Sequence, residues 1–330
     1  MTMSKFRTEI KPQPYRNKIE PCTKVMFLGS CFANNMGSKF SECKLGNLIN
    51  PFGVIYNPIS VGNSLSSIIH KKVYSDTDLQ NYNNRWLSFD HHSSFSDSNK
   101  SKCLKKINES IQEAAEFLKE CEFVFFTFGT AWVYQLKETN QVVSNCHKYP
   151  DRCFNRYLLS IDEVVDKYKT LMKQLRAFNP DIKVIFTLSP VRHWKDGAHE
   201  NQISKSILML AIDRLCTLFD NCDYFPAYEL LLDDLRDYRF YADDMLHPSA
   251  SAITYIWEKF EDCFFSVNTL EYKKEMLKLT KALNHTPFDV KSVSHQVFLK
   301  KQLKKIEEYI SRYPHIDFTK DLATVKSQIT

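Results

Sequence analysis

Short apolar runs alternate with amphipathic stretches along most of the chain. Four runs have the composition of strands that are buried in a parallel sheet. In order they are Val25–Leu28, Phe123–Thr127, Lys183–Pro190 and the shorter Tyr224–Phe225. Apolar residues recur at helical spacing in 104–120, 161–178, 201–219 and 249–264. This alternation predicts an α/β fold with a parallel sheet and helices on both faces.

The chemically informative residues follow the predicted strands. In an open parallel sheet, ligands bind beyond the carboxyl ends of the strands. Polar stretches that contain Gly, His or Ser come directly after the runs that end at Leu28, Thr127 and Pro190. We therefore expect these stretches to meet at one edge of the sheet.

The turn Gly29-Ser30-Cys31 ends the first strand, and the spacing of Phe32, Met36 and Phe40 predicts a helix after it. Ser30 occupies the position of an N-cap, whose hydroxyl accepts from the free N–H groups of the first turn. A hydroxyl and a thiol at a helix N-terminus suit the nucleophile of a hydrolytic enzyme. The alternative is a tight turn with a buried structural Cys.

A second chemical signal precedes the helix at 249–264. Asp244 and His247 are three residues apart, just before Pro248. A short D-x-x-H turn can hold a carboxylate against imidazole Nδ1 and leave Nε2 facing a nucleophile. A chance surface occurrence is the alternative, but the Gly29-Ser30-Cys31 turn favours the catalytic interpretation.

The C-terminal part changes character. Residues 268–330 are rich in Lys and Glu and predict helices, with the clearest amphipathic stripe over 302–310. We expect one α/β domain over 1–267 and a C-terminal helical extension over 268–330. The extension is a candidate surface for packing on the main domain or for self-association.

Composition narrows the classes of function. The chain has 330 residues, a net charge of +5 and no concentrated basic tract, so we expect no nucleic-acid partner. Neither an apolar leader nor a run of the ~20 residues that span a bilayer is evident, so we expect a cytoplasmic protein without a membrane partner. The ten Cys are scattered without a CxxC pair, and the His91-His92 pair lacks matching ligands, so we expect reduced thiols and no metal.

Six blocks of the sequence, in order, resemble the GSCFA family, whose fold is similar to that of the SGNH/GDSL hydrolases. The first is Gly29-Ser30-Cys31-Phe32-Ala33, which spells the family's motif. The others are Asn50–Pro58, Thr127–Tyr134, Asn145–Lys148, Ser189–His193 and Asp244–Ser249. The resemblance implies a three-layer α/β/α, flavodoxin-like architecture.

The same resemblance implies roles for individual residues. Aligned without a gap, the SGNH motif Gly-Asp-Ser puts Cys31 in the place of the nucleophile, whereas a slip of one residue makes it Ser30. Gly53 matches the second oxyanion donor, and Asp244 and His247 match the closing D-x-x-H. The third block has no Asn between Gly129 and Trp132.

Residues of the later blocks complete the expected site. Asn145 is a candidate replacement for the missing Asn, and Arg192 and His193 are candidate substrate contacts. If Cys31 is the nucleophile, the helix N-terminus and His247 should stabilise its thiolate and lower its pKa.

The implied activity is hydrolysis or transfer of an O-acyl group, such as acetyl, from a carbohydrate or another small polar metabolite. His247 would act as general base and then general acid, and Asp244 would hold its tautomer. No cofactor is implied. The alternative is a non-catalytic binding or scaffold protein that retains the fold, as the missing Asn of the third block suggests.

Overall fold

The computed structural model describes residues 7–285 and 292–329. In chain order its strands are β1 (Val25–Gly29), β2 (Asn47–Ile49), β3 (Gln80–Tyr82), β4 (Arg85–Leu87), β5 (Phe123–Phe128), β6 (Trp132–Leu136), β7 (Val142–Val143), β8 (Phe154–Leu158), β9 (Lys183–Leu188) and β10 (Cys222–Phe225). The helices are α1 (Cys31–Glu42), α2 (Pro58–Ile69), α3 (Lys100–Lys119), α4 (Ile161–Phe178), α5 (Gly197–Leu218), α6 (Ala227–Glu229), α7 (Ala250–Phe264), α8 (Val267–Leu283), α9 (Val293–Arg312) and α10 (Thr319–Gln328).

The central feature is a five-stranded sheet in the order β10-β9-β5-β1-β2, with all pairs parallel. Every residue of β1 and β5 is buried, which explains their continuous apolar sequences. This strand order is that of a doubly wound, flavodoxin-like sheet. The predicted α/β fold with a parallel sheet is therefore confirmed.

Both faces of the sheet are covered. On one face, alternate strand residues such as Met26, Phe126 and Phe186 pack into one apolar cluster with residues of α2, α3, α4 and α5. On the other face, Phe125 and Phe225 contact Phe260 of α7, with ring centroids 5.1 and 5.5 Å away. The sheet is thus the middle of three layers.

The chain divides into two compact units. The first comprises residues up to 13, 24–37 and 47–260, and the second comprises 14–23, 38–46 and the chain from 261 onward. In the second unit, Tyr272 of α8 meets Tyr313 edge to face at 4.8 Å, and Lys44 pairs with Asp321 of α10 at 2.8 Å. The expected C-terminal helices are present, and the predicted domain boundary at 267 stays a prediction.

A smaller antiparallel sheet in the order β7-β6-β8 follows β5 directly. Its strands were not predicted, because their residues are half-buried and show no clear alternation. None of the helices within 7–285 and 292–329 combines the length and the apolar character that a membrane span requires.

Gly29 is required where β1 turns into α1. Its φ is +131°, and a Cβ there would lie 2.1 Å from the carbonyl oxygen of Thr127 on the neighbouring strand. We expect Gly29→Ala to destabilise the protein by roughly 2–6 kcal/mol, since a strained φ costs about 1–3 kcal/mol and overpacking adds about 1–3 kcal/mol. Denaturant unfolding measures the change.

Gly197→Ala is the matched control for that substitution. Gly197 also has a positive φ, +84°, but a Cβ there meets nothing within 4 Å. The Gly197→Ala variant should therefore lose only the stability that backbone strain costs. Equal losses in the two variants would show that the contact between a Cβ at position 29 and the Thr127 carbonyl has no effect.

Candidate active site

The turn after β1 gives Ser30 and Cys31 different environments. Ser30 is 1% exposed, and its Oγ accepts from the N–H of Phe32 at 3.2 Å. Its own N–H donates to the carbonyl of Thr127 at 3.0 Å. Ser30 therefore caps the N-terminus of α1. Cys31 is the first residue of α1 and is partly exposed, so its thiol is the more accessible of the two groups.

The pKa of Cys31 is raised from its ordinary value, contrary to the expectation from the sequence. Burial is the largest cause, because the thiolate loses water. The backbone N–H groups of Phe32 and Cys31 and the charge of Lys205 act in the opposite direction but are weaker. The charge of Asp244 raises the pKa further. In the free protein, Cys31 is therefore a thiol that needs a base before it can attack.

Asp244 and His247 form a hydrogen-bonded pair. Oδ2 of Asp244 lies 2.6 Å from Nδ1 of His247, and its Oδ1 accepts from the N–H groups of Leu246 and His247, both at 2.9 Å. Met245 turns the chain between them with a φ of +58°. These contacts, led by the N–H of His247, lower the pKa of Asp244 to about 2. Since Nδ1 faces the carboxylate, Nε2 is the nitrogen left for chemistry.

Gly53, the second oxyanion donor that the family resemblance implies, lies in a turn. Its N–H donates to the carbonyl of Asn50 at 2.7 Å and closes a turn. The Asn50 side chain in turn accepts from the N–H of Gly29 at 2.7 Å. The N–H of Gly53 is therefore already used within the protein, and its role as an oxyanion donor stays a prediction.

Asn145 and His193 line a cavity of about 410 Å³, together with Tyr56. The side-chain oxygen of Asn145 accepts from the N–H of His147 at 2.8 Å, so its amide N–H₂ remains the group that a ligand can use. Ser30, Cys31, Gly53, Asp244 and His247 are not among the residues that line this cavity. Of the site residues expected from the sequence, this cavity therefore brings together Asn145 and His193.

Two residues of the cavity, Tyr56 and His193, are affected by the charges of the predicted catalytic residues. Their rings meet edge to face with centroids 5.4 Å apart. Burial raises the pKa of Tyr56, and the charge of Cys31 adds to the rise. Burial lowers the pKa of His193 to about 4, and the charges of Lys205 and His247 contribute. His193 is therefore neutral at pH 7.

Arg192 lies beside the aromatic residues that follow β10. Its charge lowers the pKa of Tyr228 and Tyr241, although burial raises both of these overall. Its Nε is buried and has no hydrogen-bond partner among the described residues. The structure thus assigns it contacts with protein groups, and a contact of Arg192 with substrate remains a prediction.

Lys205 is a residue of this region that the sequence analysis did not single out. It lies on the buried face of α5 and is 1% exposed. Its Nζ donates to the carbonyl of Ser189 at 2.7 Å and lies 5.5 Å from the centre of the Tyr228 ring. Burial lowers the pKa of Lys205 to about 7, while the charge of Cys31 counteracts this fall.

Two more polar residues on the same face of α5 hold the loops after β5 and β9. The Oγ of Ser204 accepts from the N–H of Ala131 at 2.8 Å, and Oδ1 of Asn201 accepts from the N–H of His193 at 2.9 Å. The signal was present in the sequence, because Asn201, Ser204 and Lys205 occupy the positions at which an amphipathic helix places its apolar stripe. Polar residues at such positions indicate a site.

His91 is a structural residue. It is fully buried, its ring stacks on that of Phe52 with centroids 4.3 Å apart, and its Nδ1 lies 3.0 Å from the hydroxyl of Ser88. Burial lowers its pKa to about 3, so it is neutral in the folded protein. Within 7–285 and 292–329, no group of three or more His, Cys, Asp and Glu side chains is placed to hold a metal ion.

Comparison with solved structures gives distant matches. A carbohydrate esterase family 3 protein from Talaromyces cellulolyticus is 10% identical, with 78% of this chain and 98% of that chain covered and a TM-score of 0.35. An acetyl esterase mutant with acetate ion is 12% identical, with 79% and 100% covered and a TM-score of 0.35. An acetyl xylan esterase from the rumen bacterium Butyrivibrio proteoclasticus is 10% identical, with 73% and 63% covered and a TM-score of 0.36.

The sequence itself gives the assignment. No curated protein matches it. The model of the GSCFA family matches residues 24–260, and that of the GSCFA domain protein, C-terminal domain, matches residues 276–330. Since the first match spans well over half of the chain, the protein belongs to the GSCFA family.

Proposed function

We propose that the protein hydrolyses or transfers O-acyl groups, with Cys31 as nucleophile, His247 as general base and acid, and Asp244 as the residue that orients His247. The observation that carries the proposal is the Asp244–His247 hydrogen bond of 2.6 Å. The charge of Asp244 acts on the thiol of Cys31, the first residue of α1, and raises its pKa. Nucleophile, base and orienting carboxylate are the parts that acyl transfer requires.

The proposed steps conserve atoms and charge. His247 Nε2 takes the proton of the Cys31 thiol as Sγ forms a bond to the acyl carbon. The bond between that carbon and the alcohol oxygen then breaks, and His247 returns the proton to the departing alcohol. Water, or a second alcohol, attacks the thioester and regenerates the thiol. Hydrolysis and transfer differ only in this last acceptor.

The tetrahedral intermediate needs donors for its oxyanion. The backbone N–H of Cys31 is our proposed donor, since it lies at the N-terminus of α1, where N–H groups and the helix dipole favour negative charge. One such donor is worth roughly 3–4 kcal/mol of transition-state stabilisation. We further propose that the Lys205 ammonium compensates the charge of the Cys31 thiolate, which burial alone disfavours.

The proposed substrate is an acyl ester, with acetyl the smallest acyl group, of a carbohydrate or another small polar metabolite. Trapping of the acyl-enzyme tests the proposal. We expect para-nitrophenyl acetate to leave an acetyl group on Cys31, found by mass spectrometry of the digested protein. Cys31→Ser should lose the thioester and most turnover. Cys22→Ser, at an exposed cysteine outside the proposed site, should change neither.

Ser30→Ala distinguishes the two nucleophiles. Because Ser30 caps α1, we expect this variant to lose about 1 kcal/mol of stability but to keep its turnover. An acetyl group on residue 30, or full turnover in Cys31→Ala, would rule out the thiol mechanism.

A non-catalytic binding protein is the second candidate function. The raised pKa of Cys31 and the occupied N–H of Gly53 favour it, because both remove features that acyl transfer uses. It predicts no acyl adduct on any residue and no turnover of any ester, with ligand binding intact.

A further inference from the structure

The cavity that Asn145 and His193 line has a wall built from two strands and from the segment that follows β9. Trp132 and Tyr134 come from β6 and Arg156 from β8, while Lys195 and Asp196 follow β9. The cavity holds about 410 Å³, enough for a small polar molecule. No step of the proposed reaction uses these five residues.

Arg156 is fixed in this wall. Its two terminal nitrogens donate to the two carboxylate oxygens of Asp196, with Nη1 2.6 Å from Oδ1. Its guanidinium lies 4.2 Å from the ring centre of Trp132 and 5.4 Å from that of Tyr134. A bidentate pair of this kind, stacked on aromatic rings, orients the guanidinium as a rigid donor.

Two donors in the wall lack partners. Arg156 Nε and Trp132 Nε1 are buried and make no hydrogen bond to any described residue. Leaving a buried donor unsatisfied destabilises a protein, so each such group calls for an explanation. A hydrogen-bond acceptor of a ligand bound at the cavity wall would explain both donors. A small shift of the Arg156 and Trp132 side chains would bring their N–H groups to that acceptor.

The charge of the wall agrees with these donors. Lys195 is exposed, and its ammonium donates to the Tyr134 hydroxyl, which leaves further N–H groups for a ligand. The carboxylate of Asp196 is already engaged by Arg156. Two cations and one anion leave one net positive charge, since His193 is neutral. The wall thus offers donors and positive charge, but its single carboxylate is not free to accept.

We propose that this cavity binds an anionic group, a carboxylate or a phosphate, carried by the substrate. Such groups only accept hydrogen bonds, which matches a wall that donates, whereas a neutral sugar hydroxyl must also donate. The inference rests on the proposed function for the place of the ester, since Tyr56 lines this cavity and the N–H of its neighbour Ile55 donates to the carbonyl of Gly29, in the turn before Cys31, at 2.9 Å. Binding of the anion can be measured without turnover.

Three phenyl esters test the inference: phenyl acetate, para-acetoxybenzoate and para-acetoxyphenyl phosphate. We expect kcat/KM for one of the charged esters to exceed that for phenyl acetate by roughly tenfold, the effect of one hydrogen bond to a charged group. The two charged esters distinguish carboxylate from phosphate. The preference should shrink as salt is added, because Lys195 is exposed.

Substitution of Lys195, the exposed cation of the wall, tests whether the preference for charged esters arises in this cavity. Lys195→Met should reduce the preference to about one without loss of fold, and Arg156→Met should do the same if it folds. Lys173→Met is the matched control, since it removes an exposed lysine of α4 that does not line the cavity. A preference that survives Lys195→Met, or is absent in the unmodified protein, would overturn the inference.

A binding measurement separates this inference from the proposed function. Tryptophan fluorescence should report binding of para-hydroxybenzoate or phenyl phosphate, and not of para-hydroxybenzyl alcohol, with loss of binding in Lys195→Met. Anion binding without turnover of any ester would keep the cavity and refute the hydrolase. Equal turnover of all three esters, with no anion binding, would keep the hydrolase and refute the cavity.

Discussion

We expect His247→Ala to reduce the turnover of para-nitrophenyl acetate by a factor of 10³ or more, and to leave thermal stability nearly unchanged. A general base contributes roughly 10²–10⁴ to a rate, and the loss is greater when the nucleophile is a thiol that burial keeps protonated. The side chain of His247 is 49% exposed, so its removal leaves no cavity in the core. Steady-state kinetics and thermal unfolding measure the two effects.

Substitution of Asp244 tests the orienting carboxylate while the imidazole stays in place, and substitution of the neighbouring Asp243 is the control. Asp244→Asn should lower kcat by at least roughly 10²-fold, because an amide cannot hold the same tautomer of His247. Asp243→Asn removes the adjacent exposed carboxylate and should leave kcat unchanged. Full activity in His247→Ala, free of contaminating esterase, would exclude the proposed triad.

The strands that build the sheet could be predicted because they are buried on both faces. β1, β5 and β9 are continuous apolar runs, and such runs have few alternatives in an α/β chain. The helix α4 begins at Ile161 and ends at Phe178, as predicted, because its cap Ser160 and its apolar stripe agree. β2 was missed, since its three residues are half-buried and too short for a pattern.

The turn after β1 and the Asp244–His247 pair could also be predicted, because both are local. A cap and a D-x-x-H turn involve residues within three positions of one another. Properties that depend on the surroundings could not be predicted. The pKa of Cys31 follows from how deeply α1 is buried, and the N–H of Gly53 is occupied by a turn that the residue type does not reveal.

The burial of Lys205 could be predicted from the sequence, but its contacts could not. Its position on the apolar stripe of α5 predicts burial, and burial of an ammonium is costly unless a compensating group is present. Only the structure places that ammonium on the carbonyl of Ser189 and in the field of Cys31. A polar residue at a core position is therefore a useful signal of a site even when its partner is distant in sequence.

Lys205→Met is expected to stabilise the protein and to weaken the nucleophile. The unfolded chain keeps this proton up to a pKa of 10.5, and the folded protein only up to about 7. Between these values the unfolded state binds more protons, so the stability of the unmodified protein rises with pH. Methionine removes the penalty, so its gain in stability is largest at about pH 6 and declines toward about pH 10.

The magnitude follows from the same values. A pKa that falls from 10.5 to about 7 corresponds to roughly 5 kcal/mol against the buried ammonium. Loss of the hydrogen bond to the Ser189 carbonyl offsets about 1–3 kcal/mol of this. We therefore expect a net gain of about 2–4 kcal/mol at about pH 6, measured by denaturant unfolding at about pH 6 and about pH 10.

The reactivity of Cys31 should change in the opposite sense. Without the ammonium, the pKa of the Cys31 thiol rises further, and alkylation of Cys31 by iodoacetamide slows at about pH 6, where the unmodified protein keeps the Lys205 proton. Lys167→Met is the control, since burial also lowers the pKa of Lys167 but Cys31 is not among the causes. A Lys205→Met variant that is less stable at both pH values, with Cys31 alkylated at the unmodified rate, would make Lys205 a purely structural residue.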